Sequence, residues 1–215
     1  MRRKCKKLAV SIVIVLMVGL ASASAAAHNV FGSTGLINIP TASVAPNGSL
    51  STAFHLFNGT NHVSVVLGAF PNVEVGLVSR LGGSEALFSG TAKVQLLQEG
   101  EYPAVAVGLV TDSDRTSFYI VGSMQIGAPG IRGHIGFGSG QFSRGFAGIS
   151  SVLNPVTVIS SNRKLSMPVT TVIVETDGWR INTGLSLKFS QELSAKVMVS
   201  GFKHFGFGVN FSHRF

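Results

Sequence analysis

From Phe205 to Phe215 the chain alternates without a break. Phe205, Phe207, Val209, Phe211, His213 and Phe215 fall on one face, and Gly206, Gly208, Asn210, Ser212 and Arg214 fall on the other. A period of two is that of a β-strand. An aromatic face backed by glycine and polar residues fits a core-facing strand of a soluble sheet. It also fits a membrane-barrel strand, with lipid against the apolar side and a wet lumen behind. The pattern recurs upstream. Trp179, Ile181, Thr183, Leu185, Leu187 and Phe189 oppose Arg180, Asn182, Gly184, Ser186 and Lys188. Val73, Val75 and Leu77 oppose Glu74, Gly76 and Arg80, and Ala92, Val94 and Leu96 oppose Thr91, Lys93 and Gln95. Charges recurring on the inner parity suit a water-filled lumen and not a dry core.

Turn chemistry separates these runs: Pro71-Asn72, Ala128-Pro129-Gly130 and Asp177-Gly178 are residues that short turns require. The spacing predicts strands near 49–57, 62–70, 72–80, 88–98, 103–111, 116–127, 131–139, 144–152, 168–176, 179–189, 192–203 and 205–215. Leu153 to Met167 is too long for a tight turn, and Val156 to Ile159 within it reads as a spare short strand. Ten to fourteen strands therefore fit, with twelve preferred. The fold class is all-β, a transmembrane antiparallel up-and-down barrel over 49–215, with a soluble periplasmic β-sandwich as its structural rival.

The amino-terminal stretch follows different rules. Arg2, Arg3, Lys4, Lys6 and Lys7 form a basic head, Leu8 to Leu20 an apolar run, and Ala25-Ala26-Ala27 a small-residue end. This is the layout of a secretory signal peptide, 1–27, cleaved after Ala27. The apolar run is shorter than the roughly 20 residues a membrane helix needs. Removing five of the 17 basic residues leaves 12 against 9 acidic ones, so the formal charge falls from +8 to about +3. The basic pI is then largely a property of the leader, and a nucleic-acid partner loses its support. The single cysteine, Cys5, also lies in the leader, so the exported chain has neither a disulfide nor a thiol nucleophile. The expected location is the bacterial outer membrane, with membrane lipid and the barrel-assembly machinery as partners. Phe211 and Phe215 are the candidate assembly signal.

Between leader and barrel, residues 28–48 open with HNVFGSTGLINIPTA, too rich in glycine and proline for a helix or an unbroken strand. They read as an irregular lead-in, periplasmic or lumenal. Within it, Gly35-Leu36-Ile37-Asn38-Ile39-Pro40-Thr41-Ala42 resembles the GL-x-x-x-PTA opening of the YjbH-like family of bacterial outer-membrane proteins. Glu175-Thr176-Asp177-Gly178, followed by Asn182-Thr183-Gly184-Leu185, is similar to that family's E-x-D-G and N-x-G-L segment. The resemblance implies an outer-membrane barrel with a role in exopolysaccharide production, and polysaccharide or periplasmic export proteins as partners.

Candidate chemistry is sparse. Gly136-Phe137-Gly138-Ser139-Gly140 has the glycines of a phosphate loop but no helix pattern after it, so strand glycines are the better reading. The six histidines lack metal-ligand spacing. No catalytic, cofactor or metal residue is assigned, although a barrel-borne envelope hydrolase, with a Ser/His/acid cluster at the rim, remains the enzymatic alternative. The candidate lumen-lining residues are Glu74, Arg80, Lys93, Arg132, Glu175, Arg180 and Lys188. Opposite charges among Glu175, Arg180 and Lys188 would meet across the lumen wall, as a structural ion network or a path for polar solutes. Inward glycines at 76, 136, 138, 184, 206 and 208 argue for open space.

Overall fold

A computed structural model describes residues 28–57, 59–82, 87–154 and 167–215. The leader read over 1–27 and the spare strand read at Val156–Ile159 lie outside the described residues. Twelve strands form one closed antiparallel barrel in which each pairs with its chain neighbours and the first pairs with the last. They are β1 Ser49–Phe57, β2 Thr60–Phe70, β3 Val73–Leu81, β4 Leu87–Leu97, β5 Ala104–Thr111 and β6 Thr116–Gln125. The circle is completed by β7 Ile131–Gly138, β8 Phe146–Val152, β9 Val169–Thr176, β10 Ile181–Lys188, β11 Leu193–Ser200 and β12 His204–Arg214. Each lies within a few residues of its expected bounds. Closure leaves no open edge, so backbone groups throughout the wall find partners without water.

Turns alternate between two rims. One carries Gly48, the Pro71-Asn72 turn, the 126–130 turn and Phe215, whose amide donates to the Gly48 carbonyl at 2.9 Å. Asn72 supplies the positive φ, 64°, at the second position of its turn. The opposite rim carries Asp177-Gly178, residues 201–203, and a single 3-10 turn at Gly140–Phe142 that interrupts the β7–β8 connection.

The apolar parity points outward. Phe70, Tyr102, Phe189 and Phe215 are exposed near the first rim, and Phe88, Phe118, Phe137, Trp179 and Phe205 near the second. Leu77, Val94, Ile135, Ile149 and Leu185 are exposed between them. Two aromatic belts flanking an aliphatic band are what a barrel wall presents to lipid. At the second rim the Arg144 guanidinium stacks 3.7 Å above the Trp179 ring.

The inward parity is buried, and the reason is residues 28–48. Ile37, Ile39 and Ala42 have almost no exposure, and they join Phe57, Val121, Ile173 and Met198 of the wall in one apolar cluster. The lead-in folds back on itself: the Val30 amide donates to Ile37 O, Leu36 to Ile39 O and Thr41 to Thr34 O. Near the second rim Phe142 drops inward onto Tyr119 and Phe146, with ring centroids 4.8 and 5.4 Å away. The inward glycines make room for protein and not for solvent. A Cβ on Gly76 would lie 2.1 Å from Gly32 O, and one on Gly148 2.8 Å from side-chain atoms of Leu36 and Ile39. The expectation of open space behind these glycines is therefore corrected.

Candidate functional site

The lumen wall holds the lead-in through four charged side chains. Glu74, the second residue of β3, accepts from Ser33 Oγ at 2.7 Å, Thr34 N at 2.9 Å, Thr34 Oγ1 at 2.5 Å and Ala45 N at 2.7 Å. Its cross-strand partner on β4 is Lys93, whose Nζ lies 2.9 Å from Glu74 Oε1 and donates to Thr34 O at 2.8 Å. Four donors and a cation around one carboxylate satisfy it despite its 1% exposure. Thr91, on the same face of β4, donates to Gly32 O at 2.8 Å.

The second anchor lies toward the opposite rim. Glu175 on β9 accepts from Ile37 N at 2.9 Å and Asn38 N at 2.7 Å, with Ile39 N at 3.5 Å and Asn182 Nδ2 at 3.1 Å. Successive amides converging on a carboxylate form a backbone nest for an anion. Asp177, at the hairpin tip, takes Asn38 Nδ2 at 2.9 Å and Asn182 Nδ2 at 3.2 Å. Its partial burial works to raise the pKa, but the bonds from Asn38, Arg180, Trp179 and Asn182 outweigh it and hold the carboxyl below its ordinary value. Lys196 on β11 completes the set, donating to His28 O at 2.9 Å and to Leu36 O.

The two sequence motifs thus meet in space: the amides of Ile37 and Asn38, in GLINIPTA, bind the glutamate of ETDG. The barrel interior between them is full. A cavity bounded by His28, His55 and Lys196 holds about 10 Å³, room for about one water. A larger concavity of about 580 Å³ is lined mainly by Met124, Ile135, Ile149 and Val174 on the lipid-facing parity, so it belongs to the outer wall and not to the lumen.

The structure separates the expected lumen-lining residues into groups. Glu74, Lys93 and Glu175 are buried against the lead-in. Arg80 and Arg180 share their inward parity but reach the second rim and are exposed. Lys188 is half-buried toward the first rim. Arg132 pairs with Glu99 at that same rim. There the Gln125 amide and the Arg132 guanidinium keep the Glu99 carboxyl below its usual range. The network expected among Glu175, Arg180 and Lys188 is replaced by one between Glu175 and the lead-in, because Arg180 sits beyond the start of β10. Of the two terminal aromatics, Phe211 is half-buried opposite Thr52 and Leu193, and Phe215 is exposed.

Sequence reasoning missed Lys196, although its signal is present: Ser194, Lys196, Met198 and Ser200 occupy the inner parity of β11. It also missed the polar group beneath the lead-in. Ser123 Oγ lies 2.8 Å from His134 Nδ1 and accepts from Ala42 N at 2.9 Å, while His134 Nε2 faces Ser150 Oγ at 3.4 Å. This Ser–His contact is buried and its third member is a serine, not a carboxylate. Among the described residues no three His, Cys, Asp or Glu side chains are grouped to hold a metal.

Two solved structures resemble most of this chain. A KdgM porin matches with TM-score 0.52 at 11% identity, covering 78% of this chain and 99% of that one. A KdgM porin in complex with disordered oligogalacturonate matches with TM-score 0.51 at 10% identity, with the same coverage. Such a likeness speaks for the fold alone. No curated protein matches the chain in sequence. Residues 27–166, more than half of the chain, match the model of the YjbH family, described as exopolysaccharide biosynthesis protein YbjH, and the chain, a porin-like twelve-stranded barrel, belongs to that family.

Proposed function

We propose that this protein is an outer-membrane component of an exopolysaccharide system, a porin-like conduit closed at rest by residues 28–48 and opened when that segment withdraws. The observation that carries this reading is how the lead-in is held. Its polar ties to the wall are made mainly by side chains of Glu74, Lys93, Glu175 and Lys196, beside the apolar packing of Ile37, Ile39 and Ala42, and its continuous backbone bonding to the wall begins only at Gly48. Withdrawal therefore breaks no strand ladder. The charged side chains left behind would be solvated by entering water, as the lumen of a porin is.

Export by the leader 1–27 and insertion by the barrel-assembly machinery belong to the same proposal, with Phe211 and Phe215 as the assembly signal. The chemistry is transport and not catalysis, which is consistent with a Ser123–His134 contact that is sealed under the lead-in. Export proteins in the periplasm are the natural agents to pull a segment joined to β1 at the first rim.

Conductance in planar bilayers tests the proposal. Intact protein should be closed or flicker rarely, and removal of His28 to Ala42 should give sustained conductance. Silence from both proteins, with each shown to be folded by a heat-dependent shift in gel mobility, would instead mean a sealed barrel that acts through its loops.

A further inference from the structure

We infer that the Glu74–Lys93 and Glu175–Lys196 groups form a binding track for a neutral, hydroxyl-rich glycan, and that the lead-in occupies this track as a stand-in ligand. The inference rests on the conduit reading above and adds the class of solute.

At Glu74 the lead-in presents hydroxyls, as a sugar chain would, whereas at Glu175 it presents backbone amides. Glu74 accepts two hydroxyls, Ser33 Oγ at 2.7 Å and Thr34 Oγ1 at 2.5 Å, as a carboxylate does from neighbouring hydroxyls of a pyranose. The lysines donate to bare oxygens, Lys93 to Thr34 O at 2.8 Å and Lys196 to His28 O at 2.9 Å. The hydroxyl oxygens of a sugar also accept hydrogen bonds, each through two lone pairs. The anchors grip residues close together in the lead-in: Glu74 takes Thr34, Lys196 takes Leu36 O, and Glu175 takes Ile37 and Asn38. The three residues from Thr34 to Ile37 span at most about 11 Å, so the track fits a short run of sugar units.

Charge selects the class of polymer. The four deeply buried lumen charges among the described residues are two carboxylates and two ammonium groups, which sum to zero. A polyuronate carboxylate would be drawn to Lys93 or Lys196 but repelled by Glu74 and Glu175 beside them, so a track of no net charge gives it no advantage. Neutral hydroxyls meet the same groups with favourable charge-assisted bonds.

The test needs the track uncovered without altering it. Gly35→Val serves, because a Cβ there would lie 2.3 Å from Ile39 O and forbid the lead-in fold, while the wall is untouched. Excision of His28 to Ala42 is the second opened form, and folding of each is checked by heat-dependent gel mobility. Equilibrium binding of a fluorescent neutral α-glucan heptasaccharide and of an oligogalacturonate of equal length is measured on detergent-solubilised protein. Both opened forms should bind the α-glucan at least about ten-fold tighter than intact protein does, and tighter than they bind the oligogalacturonate. Glu74→Gln combined with Glu175→Gln in the opened form should weaken the α-glucan about ten-fold, as expected for lost bonds to charged acceptors. Preference for the oligogalacturonate, indifference to the two glutamines, or no α-glucan binding by either opened form would overturn the inference. Binding by a protein that stays silent in bilayers would leave the track standing and remove the conduit reading.

Discussion

Glu74 and Glu175 are the same side chain in the same kind of place, an inward position one residue from a strand end, and they are satisfied in different ways. Glu74 carries its cation with it: Lys93 lies directly across the β3–β4 ladder at 2.9 Å, and the lead-in adds four donors. Glu175 has Asn182 as its wall partner and otherwise depends on amides of residues 37–39. Remove the lead-in and Glu74 keeps an ion pair, whereas Glu175 keeps one amide. The first group is therefore part of the wall and also grips the lead-in, while the second is chiefly a latch.

Substitutions should separate these roles. The largest effect is expected from Glu74→Ala, which strands a fully buried ammonium; breaking one side of a buried pair costs about 3–5 kcal/mol. Thermal unfolding in detergent should fall accordingly, and an unchanged transition would remove Glu74 from the wall. Glu175→Ala should act on the lead-in and not on the barrel. Loss of bonds to a charged acceptor corresponds to about 1.5–3 kcal/mol, read as faster amide exchange at Ile37 and Asn38 with the strands unaffected. If exchange in β9 and β10 rises equally, the latch is structural.

A smaller effect follows from acid. Asp177 has its pKa held below the ordinary 3.8 by bonds that include Asn38. A depressed carboxylate contributes stability that is present above its unfolded pKa and is lost as pH falls through the folded value. Protease access to the lead-in should thus be flat from neutral pH to about 4 and rise below it, less so in Asn38→Ala. Arg132→Ala, which breaks the exposed pair with Glu99 at the first rim, should give the least, about 0–1 kcal/mol. A larger loss there would mean that the rim, and not the lumen, anchors the closed form.

The wall was legible because its signal is local. A strand repeats every two residues, so Phe205 to Phe215 announce their two faces without reference to anything else, and proline, asparagine and glycine mark the turns between strands. Lys196 was readable by the same rule, standing on the polar parity with Ser194 and Ser200. The rim positions of Arg80 and Arg180 were not, since parity tells which way a residue points and not how far along the wall the neighbouring chain reaches.

The sequence by itself determined the barrel: the alternation, the turn residues and the aromatic outer face are each a property of a few adjacent residues. Only the tertiary structure decided what fills it. Residues 28–48 have no period to read, and their partners are remote, with Ile37 bound to Glu175 across 138 positions and Thr34 to Glu74 across 40. A hydrogen bond between such distant groups leaves no trace in the spacing of either segment, so inward carboxylates and inward glycines describe an empty lumen and an occupied one equally well until the barrel has closed around residues 28–48.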